Sequence, residues 1–507
     1  MMDLLKQIQS MKVKTFLTIV GGLWLAALTM TYIYVETYEF TKISDDSVIH
    51  QKECLDNFLK VFEDHKIPMI LFDTDILPRL FQSMPRSWHD SEHKCKTLCK
   101  FHPEEKNVIT FAIQGTKFHG LEESIQKELN RRGFTTHITM VADPRYQEKG
   151  KPTLIPSYFW AAKKDHVIHI AFLYDRMTTY LWLAPVSPKD WKDTVDVLAP
   201  ALSDGWHSME RIGAKFPTYA QAIDKGSHFL SFPLTIDGHK ISVPYHIDKF
   251  LKQYKTSRFI ECNHKRAQHF KDKFESKLTE KDKNFKASAK KVVATAKKVL
   301  DKLNIPFWLS SGTCLGWFRQ CDIIPYSVDV DFGVRIEDYD PKLIKRMERA
   351  GLPLKNKFGF QNDSFELSFI SEEGVKLDIF FFYESKNFMW NGGTQAHDGR
   401  KYKYLFPKIT LCWTEFVGLK VRIPCEARSY IEANYGHNWM VPVKQWQWNL
   451  SPPNVVTNGK WEDSEMEEAV QIYEIDFTKI KKKKKDDEDH EEDYDDYDDE
   501  EDAPPAQ

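Results

Sequence analysis

The sequence predicts an α/β protein with two domains behind an N-terminal transmembrane helix and ahead of a disordered acidic tail. Three observations predict it. At 507 residues the chain is too long for one ordinary domain and long enough for two or three, and with 42% hydrophobic and 13% aromatic residues it can fill their cores. Thr15 to Val35 runs without a charge for 21 residues, enough to cross a bilayer. Short β-rich runs alternate with amphipathic stretches on both sides of a Lys-, Ala- and Phe-rich helical segment.

Lys6, Lys12 and Lys14 precede the apolar span and Glu36 and Glu39 follow it, so the positive-inside rule leaves residues 1–14 in the cytosol and everything after Val35 lumenal. No small-x-small cleavage site follows the span, which favours an uncleaved anchor over residues 15–35 rather than a signal peptide. Residues 36–64 read as a stem running into a helix. A first α/β domain is expected over 65–263, with strands at Ile67–Leu77, Val108–Gln114 and Val167–Tyr174. Linking helices follow over 264–303, and a second α/β domain over 304–475. The tail, 476–507, has almost no apolar residues and is expected to be disordered.

Charge narrows the partners. Net charge is −3, but residues 481–507 hold five Lys against fourteen acids (−9), which leaves about +6 for the rest. That suits an anionic substrate, and no stripe of alternating basic and aromatic residues points to nucleic acid. A lumenal site permits disulfides among the eight cysteines, whose connectivity the sequence leaves open. Cys95-x₃-Cys99, flanked by His93 and His102, has tolerable zinc spacing but reads better as a disulfide. Asn362-Asp363-Ser364 and Asn449-Leu450-Ser451 are glycosylation sequons.

The two halves resemble each other. Ile67-Pro-Met-Ile-Leu71 is like Ile305-Pro-Phe-Trp-Leu309, Val167–Asp175 is like Lys376–Glu384, and Gly238–Pro244 is spaced like Gly418–Pro424. Either the first domain is a worn, non-catalytic copy, with His169 where Asp378 stands, or apolar strands resemble one another by chance.

Chemistry concentrates in Trp308–Gly333. A strand ends in Ser310-Ser311-Gly312-Thr313, small residues that let a phosphate reach backbone N–H groups at a helix start. Arg319 on that helix can take an anion bidentately. Asp329 and Asp331, two apart on a strand, point the same way and need a cation between them, Mg²⁺ or Mn²⁺ in a nucleotide site. Asp378 lies in the apolar run Val375–Tyr383, where an unpaired charge is too costly, and reads as a further metal ligand or a base. Asp-x-Asp pairs are common and mostly solvated. Asp73-Thr74-Asp75 is read as a structural strand end. The small-residue turn and the third Asp set Asp329/Asp331 apart, in the arrangement of the nucleotidyltransferase fold. After a Gly-Gly turn, Arg400, Lys401, Lys403 and Lys408 form a basic cluster that either holds phosphate or is a solvated loop. Trp390, Trp413, Trp446 and Trp448 read as packing before ligand stacking.

With residues 305–335 stand KLDIFFFY (376–383), MWNGGTQA (389–396), KYLFPK (403–408), TLCWTEF (410–416), VRIPCE (421–426), YIEANYG (430–436) and SPPNV (451–455), with SRFIEC (257–262) upstream. Together they resemble the fukutin family. The wider LicD-type phosphocholine transferases carry Gly-Thr-Leu-Leu-Gly and Ile-Pro-Trp-Asp-Asp-Asp-x-Asp. This chain reads Gly-Thr-Cys-Leu-Gly at 312–316 and keeps only the last two acids, Asp329 and Asp331. The resemblance implies a type II Golgi-membrane protein that transfers ribitol 5-phosphate from CDP-ribitol to the phosphorylated O-mannosyl glycan of dystroglycan. Asp329, Asp331 and Asp378 would then hold the metal, Arg319 and Asp378 would act in catalysis, and Gly312, Thr313, Arg319, Lys401 and Lys403 would bind the donor. Related family enzymes or a second copy are the implied partners. Transfer of another CDP-linked alcohol (choline or glycerol phosphate) and a non-catalytic lumenal scaffold are the competing readings.

Overall fold

Helix α1 (49–64) opens the part of the chain that the computed structural model describes: residues 49–480, apart from 84–94, 96, 100–107, 146–152, 214–215, 217, 226–230, 275–276 and 444. The anchor expected at 15–35 and the tail from Lys481 lie outside the described residues. Among the described residues no helix is long and apolar enough to cross a membrane. Phe58 and Phe62, one turn apart on α1, are fully buried against Phe118, Phe134 and Phe159. The stem expected over 36–64 therefore gives its second half to the first core.

From α1 the chain makes β1 (Ile70–Leu71), α2 (Ile76–Ser83), β2 (Val108–Gln114) and α3 (Glu122–Arg131). There follow β3 (Thr135–Ala142), β4 (Leu154–Lys163), β5 (His166–Arg176), β6 (Tyr180–Leu183) and β7 (Ala220–Asp224). The hairpin β8 (Ser231–Ile236)–β9 (His239–Pro244) leads into α4 (Ile247–Lys255), then β10 (Arg258–Phe259), α5 (His264–Phe274) and α6 (Glu280–Lys302). Thr279 and Asp282 start α6 with a capping box, and its buried stripe of Ala289, Val292, Val293, Ala296 and Leu300 opens the second core.

The second half repeats this plan. It runs β11 (Phe307–Leu309), α7 (Ser311–Gln320), β12 (Asp329–Arg335), α8 (Lys342–Arg349), β13 (Leu354–Phe360), β14 (Asp363–Ile370), β15 (Lys376–Glu384), β16 (Phe388–Thr394) and β17 (Arg400–Pro407). The hairpin β18 (Leu411–Phe416)–β19 (Leu419–Pro424) and α9 (Ala427–Tyr435) follow, and β20 (Val455–Lys460) beside β17 and β21 (Val470–Ile472) beside β13 complete the second sheet.

Local geometry repeats as well as order. Lys66 and Asn304 both end a helix in the left-handed region, with φ 56° and 53°. The next amide, of Ile67 or Ile305, returns to Phe62 or Leu300 at 2.9 Å in each case. The Phe72 amide donates to Thr110 and the Ser310 amide to Asp331, both at 3.0 Å. The amide of Thr110 donates to the Asp73 carboxylate, and that of Asp331 to Thr313 Oγ1. β2 runs parallel to β5 with Thr110 opposite His169, as β12 runs parallel to β15 with Asp331 opposite Asp378. Strand patterns alone are cheap, but backbone bonds at matching places are not. Asp73, as expected, is structural: Oδ1 caps α2 through the amides of Asp75 and Ile76.

One hairpin crosses between the halves. Among the described residues the first sheet has twelve strands ending β7-β10-β18-β19, so the β18–β19 hairpin, inside the stretch expected as the second domain, joins the first sheet through β10. There Lys420, 5% exposed, lies over Trp413 and donates to the Ala222 carbonyl and the Asp224 carboxylate. Cys262–Cys321, Cys412–Cys425 and Cys95–Cys99 are disulfides. Cys54 and Cys314 are buried thiols.

Candidate active site

The second sheet separates core from chemistry by its pleat. Val330, Phe332, Leu377, Ile379, Leu367 and Phe369 face one way and are buried. The opposite face carries Asp329 and Asp331 from β12, Lys376 and Asp378 from β15, and Glu366 and Ser368 from β14. The registers Asp331–Asp378, Asp329–Lys376 and Ser368–Asp378 fix this. Toward the other end of the same face, Trp308 on β11 lies over Gly333, where a Cβ would sit 2.3 Å from the indole. Tyr430 of α9 then bonds both Trp308 Nε1 and Ser310 Oγ.

The structure brings together three of the expected residues as a cluster: one carboxylate oxygen each from Asp329, Asp331 and Asp378 lie within 4.8 Å of one another. Asp331 and Asp378 are buried and Asp329 is half-buried. Ser327 Oγ donates to Asp329 at 2.9 Å, and Lys376 Nζ holds one oxygen of Asp378 at 2.8 Å. The other Asp378 oxygen, Oδ1, has no hydrogen-bond partner among the described residues. Burial, then the charges of Asp329 and Asp378, push the Asp331 carboxyl well above the usual carboxylate range. Burial also raises Asp378, with Lys376 opposing it. At Lys376 burial works against the charge, but Asp378, Glu366 and Asp329 outweigh it and hold the ammonium. Three acids against one lysine leave an excess of negative charge that a divalent cation would neutralise, and oxygen-only donors suit Mg²⁺ or Mn²⁺.

Gly312 and Thr313 lie directly on this cluster. Thr313 Oγ1 accepts from the Asp331 amide at 2.8 Å, and a Cβ at Gly312 would come to 3.3 Å from Asp331 Oδ2. Ser310, the α7 N-cap, shares a hydrogen bond with the Tyr430 hydroxyl and makes none to the helix, so no side chain caps the first turn. Arg319, two turns on, is 2% exposed over the Phe270 ring. Its guanidinium donates to Gln320 Oε1, Tyr326 OH and the Trp439 carbonyl, and no acid among the described residues pairs with it.

Lys401 and Lys403 are not brought to the cluster. In β17 the side chains of Tyr402 and Tyr404 take the carboxylate face, so the alternating lysines point to the other. Lys401 pairs with Asp363 at 2.8 Å and lies over Trp461, and Lys403 lies over Trp390. Lys403→Ala should therefore leave the KM for the donor within about twofold of wild type, read from initial rates. Arg400 pairs with Asp398 and Lys408 with Glu384, as in a solvated loop. Trp390 stacks on Tyr383 and Trp413 packs against Arg422, both as structural residues. Trp446 packs on Tyr435, and Trp448, 44% exposed, on Tyr402.

Sequence reasoning missed Lys376 and Glu366. The alternation Phe365-Glu366-Leu367-Ser368-Phe369 was the available signal, since it sets Glu366 and Ser368 on one strand face. Which face that is requires the β14–β15 register. Burial, then Asp378, push Glu366 up to about 8.

The chain matches two protein-family models: fukutin N-terminal over residues 30–290, and the LicD/FKTN/FKRP nucleotidyltransferase domain over residues 304–426. It is 40% identical over 438 residues to the ribitol-5-phosphate transferase FKTN of Homo sapiens, covering 85% of this chain and 90% of that protein. The Mus musculus FKTN is 40% identical over 425 residues, covering 83% and 88%. The ribitol 5-phosphate transferase FKRP of Mus musculus is 27% identical over 148 residues, 27% of this chain and 29% of that protein. The residues matched by the two models include the whole carboxylate cluster, and the likeness to FKTN runs through both halves, so the chain belongs to the fukutin family.

Proposed function

We propose that this chain is a ribitol-5-phosphate transferase that uses CDP-ribitol and modifies a phosphorylated O-mannosyl glycan of the dystroglycan type. The carboxylate cluster set against an open helix N-terminus, in a chain 40% identical to a transferase of that name, carries the reading. Asp329, Asp331 and Asp378 would hold Mg²⁺ or Mn²⁺, which when bound supplies charge neutralisation at the diphosphate. The α7 N-terminus at Gly312 and Thr313 binds the phosphate of the departing CMP, and the buried, acid-free guanidinium of Arg319 adds positive potential behind it. An acceptor hydroxyl attacks the phosphorus that bears ribitol, and CMP leaves on the opposite side.

The first half serves as a non-catalytic scaffold. Where the second half has Asp329, Asp331 and Asp378, the matching registers put Val108, Thr110 and His169. His169 is buried among Tyr158, Trp160 and Phe216, where burial lowers its pKa well below the ordinary value. The span at 15–35 would anchor the protein in the Golgi membrane as a type II protein, with the catalytic half lumenal. Three disulfides support an oxidising compartment. Related family enzymes or a second copy are its partners in this reading.

The test is CMP release by the full-length chain in detergent, with CDP-ribitol, CDP-choline or CDP-glycerol, a phosphorylated O-mannosyl glycopeptide, and Mg²⁺, Mn²⁺ or EDTA. Metal-dependent release with CDP-ribitol alone is expected. Release with another donor would replace the substrate and keep the mechanism. No release from any donor would overturn the transferase reading.

A further inference from the structure

Glu366 has no place in the metal site or in the packing. It is half-buried on β14, two residues from Ser368, which stands opposite Asp378, so it is the diagonal neighbour of Asp378 on the carboxylate face. Among the described residues no hydrogen bond or ion pair engages its carboxylate. It lies outside the group of three whose oxygens converge, so an ion held there leaves Glu366 free. On its far side Tyr404, from β17, bonds the carbonyl of the exposed Trp448. Glu366 thus stands beside the three aspartates on the β14 side of the carboxylate face.

The direction of the reaction gives this position a meaning. The α7 N-terminus, which follows β11, approaches the cluster from the Asp331 side, and β14 borders it from the Asp378 side. In-line displacement puts the entering and leaving oxygens on opposite sides of the phosphorus. With the leaving CMP phosphate at Gly312 and Thr313, the acceptor hydroxyl enters from the β14 side. Asp378 is poorly placed to take that hydroxyl's proton, because it belongs to the metal cluster and is already held by Lys376.

The first half supplies an internal control. Its β4–β5 register puts Trp160 opposite His169 and Tyr158 opposite Ala171, as Ser368 stands opposite Asp378 and Glu366 opposite Phe380. Tyr158 therefore occupies the place of Glu366 and gives its hydroxyl to the Ala184 carbonyl. In the first half, whose described residues hold no such aspartate cluster, this carboxylate is missing too.

We propose that Glu366 is the general base of the transfer. Its carboxylate takes the proton of the acceptor hydroxyl as the new oxygen–phosphorus bond forms and the bond to CMP breaks. The assignment rests on the transferase reading. The test compares Glu366→Gln and Glu366→Asp with wild type and with Asp331→Asn, using full-length protein, CDP-ribitol and the glycopeptide acceptor. Three quantities are read: kcat across pH, the donor KM, and Mn²⁺ affinity by titration calorimetry. For Glu366→Gln, kcat falls about a hundredfold or more and loses its acidic limb, while KM and Mn²⁺ affinity stay within about threefold. Glu366→Asp recovers part of the rate. If Glu366→Gln keeps transfer within about threefold, the base lies elsewhere. Mn²⁺ affinity lost as in Asp331→Asn would make Glu366 a metal ligand and overturn the proposal equally. A wild-type protein that transfers nothing overturns the transferase reading and the base with it, whereas an active wild type beside an active Gln variant overturns only the base.

Discussion

Asp331→Asn should abolish transfer, by about a thousandfold or more, and at the same time raise the melting temperature of the metal-free protein. The two effects share one cause. Asp331 is buried beside Asp329 and Asp378, and without a cation burial and those two charges outweigh the support that Lys376 and the Thr313 backbone N–H give its negative form. Asn keeps the shape, and the Thr313 contact survives because it is made by the backbone amide. A carboxylate whose folded pKa is raised contributes stability fully below its unfolded value, about 4, and loses it as pH climbs through the folded value. Glu366, pushed up to about 8, acts in the same direction. The melting difference between variant and wild type should therefore grow from pH 5 to pH 8 in EDTA. Excess Mn²⁺ should raise the wild type, by about 2.7 kcal/mol at a hundredfold over Kd, and leave the variant unmoved. Thermal melts at three pH values, with EDTA or Mn²⁺, check both. An Asn variant that melts lower in EDTA would make the carboxylate structural.

The aspartates were legible in the sequence because their signals are local. Asp329 and Asp331 need only the two-residue period of a strand, and Asp378 is an acid inside Val375–Tyr383 with no apolar reason to be there. Glu366 and Lys376 needed a register between two strands. Lys401 and Lys403 misled for a related reason. Basic residues close in sequence to a Gly-Gly turn look available, but parity carried through β15, β16 and β17 sends them to the other face. The repeat was half legible. Its Ile-Pro and Gly anchors are in the sequence, but the bonds from Phe72 to Thr110 and from Ser310 to Asp331, which lift it above chance resemblance of strands, are three-dimensional. Least legible was the β18–β19 hairpin, whose strand alternation suits either sheet. Only its pairing with β10 assigns it to the first.

That crossing gives the Cys262–Cys321 disulfide its expected weight. The bond closes 59 residues, against 13 for Cys412–Cys425. On chain entropy the longer loop contributes about 4 kcal/mol and the shorter about 3. Position widens the difference. Cys262 follows β10, the strand that joins the halves, and Cys321 caps α7 in the left-handed region at φ 55°, two residues beyond Arg319. The disulfide therefore fixes the far end of the helix whose first turn meets Asp331. Replacing both cysteines with Ser should cost about 4 kcal/mol in denaturant unfolding. It should also raise the donor KM, because Arg319 and the α7 N-terminus are then free to shift together. The matching Cys412→Ser/Cys425→Ser variant gives up a bond that fastens only the two ends of a hairpin already laddered from Leu411 to Pro424. It should lose less stability and leave the KM alone. Equal losses from the two would mean that loop entropy does not govern these bonds. A KM unmoved by the first would mean that α7 is held by its packing on α5 and α9 and not by the sulfur bridge.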